Sequence, residues 1–131
     1  MPPILLAEDN LDDEAHLLRT LQSAGIDSPV LPFKDGLSLI AYLHAISHLD
    51  GDGHQVLFLD LRMPNMDGYD VLNWLRGRPH FKNLLVVVLS EMDRPYDIQR
   101  CYDLGARSFL RKPCGIAQLQ ELMTTYPQYW K

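Results

Sequence analysis

The chain has 131 residues, 47% hydrophobic and 22% charged, values of an ordinary globular domain that exclude intrinsic disorder. This length suits one domain, residues 1–131, with a sizeable core and no room for a second. A formal net charge of -5, with no cluster of Lys and Arg along the sequence, argues against a nucleic-acid partner, and no apolar run approaches the roughly 20 residues of a membrane span.

Met1-Pro2-Pro3 leads into a strand-like run without a basic start, so no signal peptide and a cytoplasmic location are expected. Ile4-Leu5-Leu6-Ala7 ends abruptly in Glu8-Asp9-Asn10. Asp12, Asp13 and Glu14 stand where a helix N-terminus favours acids; Ala15, Leu18 and Leu21, with Leu17 and Ala24 beside them, give its apolar stripe, and Gly25 stops it. Val30-Leu31-Pro32-Phe33 is predicted as a strand, placed at a sheet edge by its proline. After Asp35-Gly36, Leu39, Ile40, Leu43 and Ile46 repeat at helical spacing. His44 and His48 are four apart, which is ligand spacing, but with no acidic or Cys partner nearby an exposed helix face is expected. The polar stretch 48–55 contains Asp50-Gly51-Asp52-Gly53; the other ligands of a calcium loop are absent, so it is expected as a surface loop.

Residues 56–59 and Leu61 are apolar, interrupted only by Asp60, and Pro64 and Asp67-Gly68 close the run. This pattern predicts a strand buried on both faces, with a charge at its end that is expensive unless it is paired or coordinated. Val71, Leu72 and Leu75 mark the next helix. Residues 84–89, the most hydrophobic run, are predicted as a central parallel strand ending at Ser90-Glu91. Asp93-Arg94-Pro95 reads as an N-cap with proline in the first turn of a helix carrying Ile98, Cys101 and Leu104. Ser108-Phe109-Leu110 is a short last strand running into Arg111-Lys112-Pro113, and Ile116, Leu119, Leu122 and Met123 carry a final helix. Cys101 and Cys114 lack metal-type spacing and are expected as separate reduced thiols.

Strand and helix therefore alternate five times, which predicts a doubly wound α/β domain with a parallel sheet, helices on both faces, and a ligand site at the carboxyl ends of the strands. Four of the five runs end in Glu8 and Asp9, Asp60, Ser90 and Lys112. Three carboxylates brought together repel one another, and a hard divalent cation, magnesium best, removes that problem. Lys112 supplies a point charge for Asp60 or a phosphoryl oxygen, and Ser90 a hydroxyl donor. A carboxylate nucleophile, a metal, a lysine and a hydroxyl make a phosphoryl-transfer site with an aspartyl phosphate as product.

Glu8-Asp9, the 60–68 segment, Ser90, Gly105-Ala106 and Lys112-Pro113 together resemble the receiver domain of two-component response regulators, over essentially the whole chain. The 44–55 segment and the aromatic C-terminus resemble the single-domain regulators that partner phytochrome-type kinases. The resemblance implies a flavodoxin-like five-stranded sheet in the order 2-1-3-4-5. It implies that Asp60 accepts a phosphoryl group from a sensor histidine kinase or phosphotransfer protein. Mg²⁺ would be bound by Asp9, Asp60 and the backbone carbonyl of Arg62, with Glu8 contributing directly or through water. Ser90 and Lys112 would hold the phosphoryl oxygens, and Ser90 and Phe109 would form the switch that alters binding of a downstream protein. Phe109 read by itself is equally an ordinary core aromatic.

Arg62, Glu91 and Met92 stand where side chains overhang the phosphoryl group: Glu91 is expected to affect donor access, and Arg62 and Met92 to position an attacking water poorly. Nothing follows the receiver in this sequence, so output through a separate protein is expected. Tyr126, Tyr129 and Trp130 admit two readings, a homodimer contact or a cap on the domain's own core; the resemblance inclines to the dimer. Two other functions compete. One is a degenerate receiver serving only as a binding module. The other is a phosphohydrolase with an aspartyl nucleophile, disfavoured because Arg62 stands where such enzymes carry a second acid.

Overall fold

The apolar runs form β1 (Ile4–Ala7), β2 (Val30–Phe33), β3 (Gln55–Asp60), β4 (Leu84–Ser90) and β5 (Ser108–Arg111). They alternate with α1 (Leu11–Ser23), α2 (Gly36–Ile46), α3 (Gly68–Arg76), α4 (Pro95–Asp103) and α5 (Ile116–Thr125) in a computed structural model that describes residues 2–47, 53–91 and 94–130. All strand pairs are parallel, in the order β2-β1-β3-β4-β5, the doubly wound flavodoxin-like arrangement. Winding reverses at β1, so the crevice between the ends of β1 and β3 is the topological switch point.

Side chains alternate across the sheet and build two core layers. Ile4, Leu6, Val56 and Phe58 face one layer with Leu17 and Leu21 of α1 and Leu119 and Leu122 of α5. Leu5, Ala7, Leu57 and Leu59 face the other with Leu39, Leu43, Val71, Leu72 and Cys101. Together the two layers leave β1 and β4 buried at every position.

Several expectations are corrected. β4 is the expected interior parallel strand, paired with β3 on one side and β5 on the other, but helix faces and caps differ from expectation. Leu18 is 38% exposed: the core stripe of α1 runs through Leu17 and Leu21, four apart on one face, and Leu18 is turned away from it. Ile116, in the first turn of α5, is 42% exposed, and Leu119 and Leu122 carry that helix's burial. The N-cap position of α4 is Arg94, without a side-chain cap bond; Asp93 lies outside the described residues, as do His48, Met92 and the Asp50-Gly51-Asp52 part of the expected loop.

Pro32 lies on edge strand β2. Cys101 and Cys114 are free and buried. After α5 a 3-10 turn, Pro127–Tyr129, folds the tail back on its own domain: Tyr129 is 5% exposed, and the rings of Trp130 and Phe58 lie 6.4 Å apart. The tail aromatics thus cap the layer built on α1 and α5.

Candidate functional site

The strand register converts residues distant in sequence into neighbours. Ala7 is aligned with Leu59, so Glu8 and Asp60 leave the sheet side by side; Ser90 is aligned with Arg111, which puts Lys112 at the adjoining strand end. The Lys112 backbone N–H donates to the Ser90 carbonyl at 2.9 Å, holding the lysine beside β4. On the other side, Asn10 caps α1 by accepting from the N–H groups of Asp12 and Asp13, and its own N–H donates to Glu8 Oε2 at 3.2 Å.

The loop after Asp60 is held just as closely. Gly68 N–H donates to the Leu61 carbonyl at 3.0 Å, and a Cβ on Gly68 would lie 2.6 Å from the Asp60 carbonyl oxygen and 2.7 Å from Leu61 Cα. Only glycine permits α3 to start this near the end of β3. Between them Asn65 adopts φ 62°, and its side-chain amide donates to Asp35 Oδ2 at 3.1 Å. Asn is among the few side-chain-bearing residues that tolerate this left-handed conformation, and the contact to Asp35 fixes the path of the loop.

These constraints produce a cleft of 180 Å³ lined by Glu8, Asp9, Asp60, Ser90 and Lys112 together with Asn10, Asp13, Arg62 and Glu91. Carboxylate oxygens of Glu8, Asp9 and Asp60 lie within 4.8 Å of one another. Glu8, Asp60 and Ser90 are buried, whereas Asp9, Arg62 and Glu91 are exposed around the mouth. Arg62 and Asp9 also line a wider groove of 600 Å³ bounded by Met63, Pro64 and Tyr69.

Lys112 Nζ lies 2.6 Å from Glu8 Oε1, 3.0 Å from Asp13 Oδ2 and 3.4 Å from Asp60 Oδ1. The expected pairing with Asp60 therefore exists, but it is the longest of three. Asp13, read from the sequence only as a first-turn acid of a helix, turns out to be part of the lysine's surroundings. Burial raises the Asp60 carboxyl above its usual range, against the charge of Lys112 and hydrogen bonds from Glu8 and the Arg62 N–H. Burial also pushes Glu8 up to about 7, opposed by its hydrogen bond to Lys112 and reinforced by the charge of Asp60. For Lys112, burial alone would lower the pKa; the hydrogen bonds to Glu8 and Asp13 and the charge of Asp60 overcome it and hold the ammonium well above its ordinary range.

Two buried carboxylates, Glu8 and Asp60, share Lys112 with Asp13, and exposed Asp9 adjoins them, so the cluster carries more negative charge than one lysine neutralises. Such an all-oxygen donor set, open to solvent on the Asp9 side, fits a hard divalent cation. Phe109 is half-buried against the layer built on α2, α3 and α4, two residues before Arg111 at the end of β5.

The model of the response regulator receiver domain matches residues 4–124. The chain belongs to the response regulator receiver family. Response regulator Rcp1 of Synechocystis sp. is 28% identical over 98% of this chain and 90% of its own length. The Mn²⁺-bound structure of Rcp1 covers 97% of this chain and 95% of its own, at 26% identity and a TM-score of 0.74. The bacteriophytochrome response regulator AtBRR covers all of this chain and 96% of its own, at 30% identity and a TM-score of 0.82. The phosphorylated cyanobacterial phytochrome response regulator RcpA covers 98% and 92%, at 28% identity and a TM-score of 0.74. This receiver is accordingly a phosphorylation-dependent signalling switch of a two-component system, with an acidic cluster suited to a divalent metal. Among the described residues, no helix is long and apolar enough to cross a membrane.

Proposed function

We propose that Asp60 is the phosphoacceptor of this receiver and that its donor is a phosphohistidine on a sensor histidine kinase or phosphotransfer protein. An Asp60 carboxylate oxygen attacks phosphorus, the P–N bond breaks, and the histidine leaves as the neutral imidazole after taking a proton. The observation that carries this reading is the convergence of Glu8, Asp9 and Asp60 within 4.8 Å, with Lys112 Nζ 3.4 Å from Asp60.

Glu8, Asp9, Asp60 and the Arg62 carbonyl would hold Mg²⁺, which when bound offsets the charge of the carboxylates and of the incoming phosphoryl oxygens. The Ser90 hydroxyl and the Lys112 ammonium hold those oxygens. Ser90 and Phe109 relay occupancy to the surface that meets a downstream protein. Arg62 and Glu91 overhang the phosphoryl group, with Met92 the third residue assigned to that role from the sequence. The protein acts in the cytoplasm and catalyses only its own phosphotransfer and dephosphorylation; of the two readings of the tail aromatics, homodimer contact and cap on the domain's own core, the burial of Tyr129 supports the cap.

Incubation with a small phosphodonor and Mg²⁺, followed by mass spectrometry, is expected to place one phosphate on Asp60. The absence of an adduct under conditions where other receivers react would favour the binding-module reading. Radiolabel decay from the purified phosphoprotein is expected to be slow, because neither Arg62 nor Met92 is suited to orienting an attacking water; rapid loss would remove that part of the proposal.

A further inference from the structure

The two rims of the sheet differ in charge. Residues 71–90 contain no Asp or Glu but include Arg76, Arg78, His80 and Lys82, in a chain whose net charge is -5. The fold adds a further cation: Arg107, just before β5, donates from its guanidinium to the Lys82 carbonyl at 3.0 Å. Arg76, Lys82 and Arg107 surround the mouth of a 140 Å³ pocket at the amino ends of β4 and β5. Its walls are Leu72, Leu75, Phe81 and Leu104, above the first residues of β4.

Arg78 is engaged elsewhere, 4.0 Å from the centre of the Trp74 ring and donating to the Trp74 carbonyl. Arg76, Lys82 and Arg107, in contrast, enter no ion pair among the described residues. Three exposed cations around one concavity complement an arriving carboxylate, which a chain of net charge -5 otherwise repels. The pocket has an apolar floor of Leu72, Leu75, Phe81 and Leu104 under a polar, cationic rim, an arrangement that suits an amphipathic anchor with a ring inside and charge outside. A single anchoring side chain can enter a concavity of this kind, whereas the flat face of a bilayer cannot.

We propose that this pocket docks a segment of a partner protein in which an aromatic side chain is flanked by carboxylates, the ring between Leu75 and Leu104 and the acids on Arg76 and Lys82. Anchor-in-pocket with a charged rim is the usual anatomy of a small protein interface. At about 3.3 Å per residue, seven-residue β4 separates the pocket from the acidic cleft by about 20 Å. The docked segment therefore leaves Asp60 uncovered, and the partner is held by a surface remote from the acidic cleft.

The test is an amide and methyl NMR titration of the full chain with acetyl-Glu-Phe-Glu-amide, using acetyl-Lys-Phe-Lys-amide as the control. Saturable shifts are expected at Leu72, Leu75, Leu104 and Arg107 with the acidic peptide and not with the basic one. The double variant Arg76→Glu, Lys82→Glu changes two exposed side chains and is expected to weaken binding about tenfold, with the spectrum of the rest of the domain unchanged. Equal binding of the basic peptide, shifts confined to the acidic cleft, or no saturation up to the solubility limit would each overturn the proposal. So would phosphatidylglycerol vesicles that move these resonances where the peptide does not, which would assign the rim to a membrane surface.

Discussion

Asp60 and Asp97 are both carboxylates at 6% exposure, yet the protein treats them differently. Asp97, in the first turn of α4, accepts from the Tyr69 hydroxyl at 3.1 Å and from Arg94 Nε at 2.8 Å; Arg100 stacks over the Tyr69 ring at 3.9 Å. Each of its oxygens has a donor, and the result is a brace between α3 and α4. Asp60 shares one lysine with Glu8 and Asp13 and sits at the long end of that arrangement. A buried carboxylate with a cation of its own is a structural brace; Asp60 instead shares one cation with two other acids, and the cluster keeps uncompensated charge that a further cation can offset. Tyr69 shows the same contrast from the donor side, its hydroxyl pushed up to about 12 by burial and by its bond to Asp97.

The contrast can be broken most directly at Asp97. Asp97→Ala removes two hydrogen bonds, one of them to a charged donor, and leaves the Tyr69 hydroxyl without its acceptor. A loss of about 3 kcal/mol in denaturant unfolding is expected, with the slope unchanged. A loss below about 1 kcal/mol would mean that the brace is ornamental.

A pH series comes next in size. Glu8 is raised to about 7 in the folded, metal-free protein against an ordinary value of 4.5, so the folded state binds the extra proton between those limits. The corresponding stabilisation is fully present below about 4.5 and is lost as pH rises through about 7, on the order of 2 kcal/mol. Asp60, shifted in the same direction, adds to the effect. Unfolding of the metal-free protein across this window is expected to become easier toward neutral pH. Divalent metal should reverse the trend, because a cation binds the ionised carboxylates.

Asp60→Asn should separate the two carboxylates further. It removes a charge that burial disfavours while Lys112 keeps Glu8 and Asp13, so the metal-free variant is expected to gain about 1–2 kcal/mol, seen as a melting temperature several degrees higher. A destabilised variant would place Asp60 in the same class as Asp97. The smallest effect is expected from Tyr69→Phe, about 1 kcal/mol, since Arg94 still serves Asp97.

The strand ends were readable in the sequence because each apolar run stops at a residue of a different chemistry. Parallel pairing then gathers Glu8, Asp60, Ser90 and Lys112 on one rim without any knowledge of side-chain contacts. Asp13 and Asp97 were not readable in these roles, since an acid in the first turn of a helix already has a sufficient explanation in the helix dipole. The cationic rim was legible in part: Arg76, Arg78, His80 and Lys82 lie within seven residues of sequence, but spaced basic residues on a surface turn carry no signal by themselves. Arg107 is 25 residues from Lys82, and only the return of the chain through α4 brings the two into contact. The exposed Leu18 and Ile116 show that helical spacing identifies a stripe but not which neighbouring position faces inward.

The folded-back C-terminus has an optical consequence. The chain contains two tryptophans. Trp74 lies on α3 beneath the guanidinium of Arg78, while Trp130 packs near Phe58 with its indole N–H buried and without an acceptor among the described residues. One chromophore is therefore tuned by a surface cation and the other by the apolar interior. With Trp74 replaced, the remaining emission reports on how tightly the last turn of the chain is seated against its own sheet.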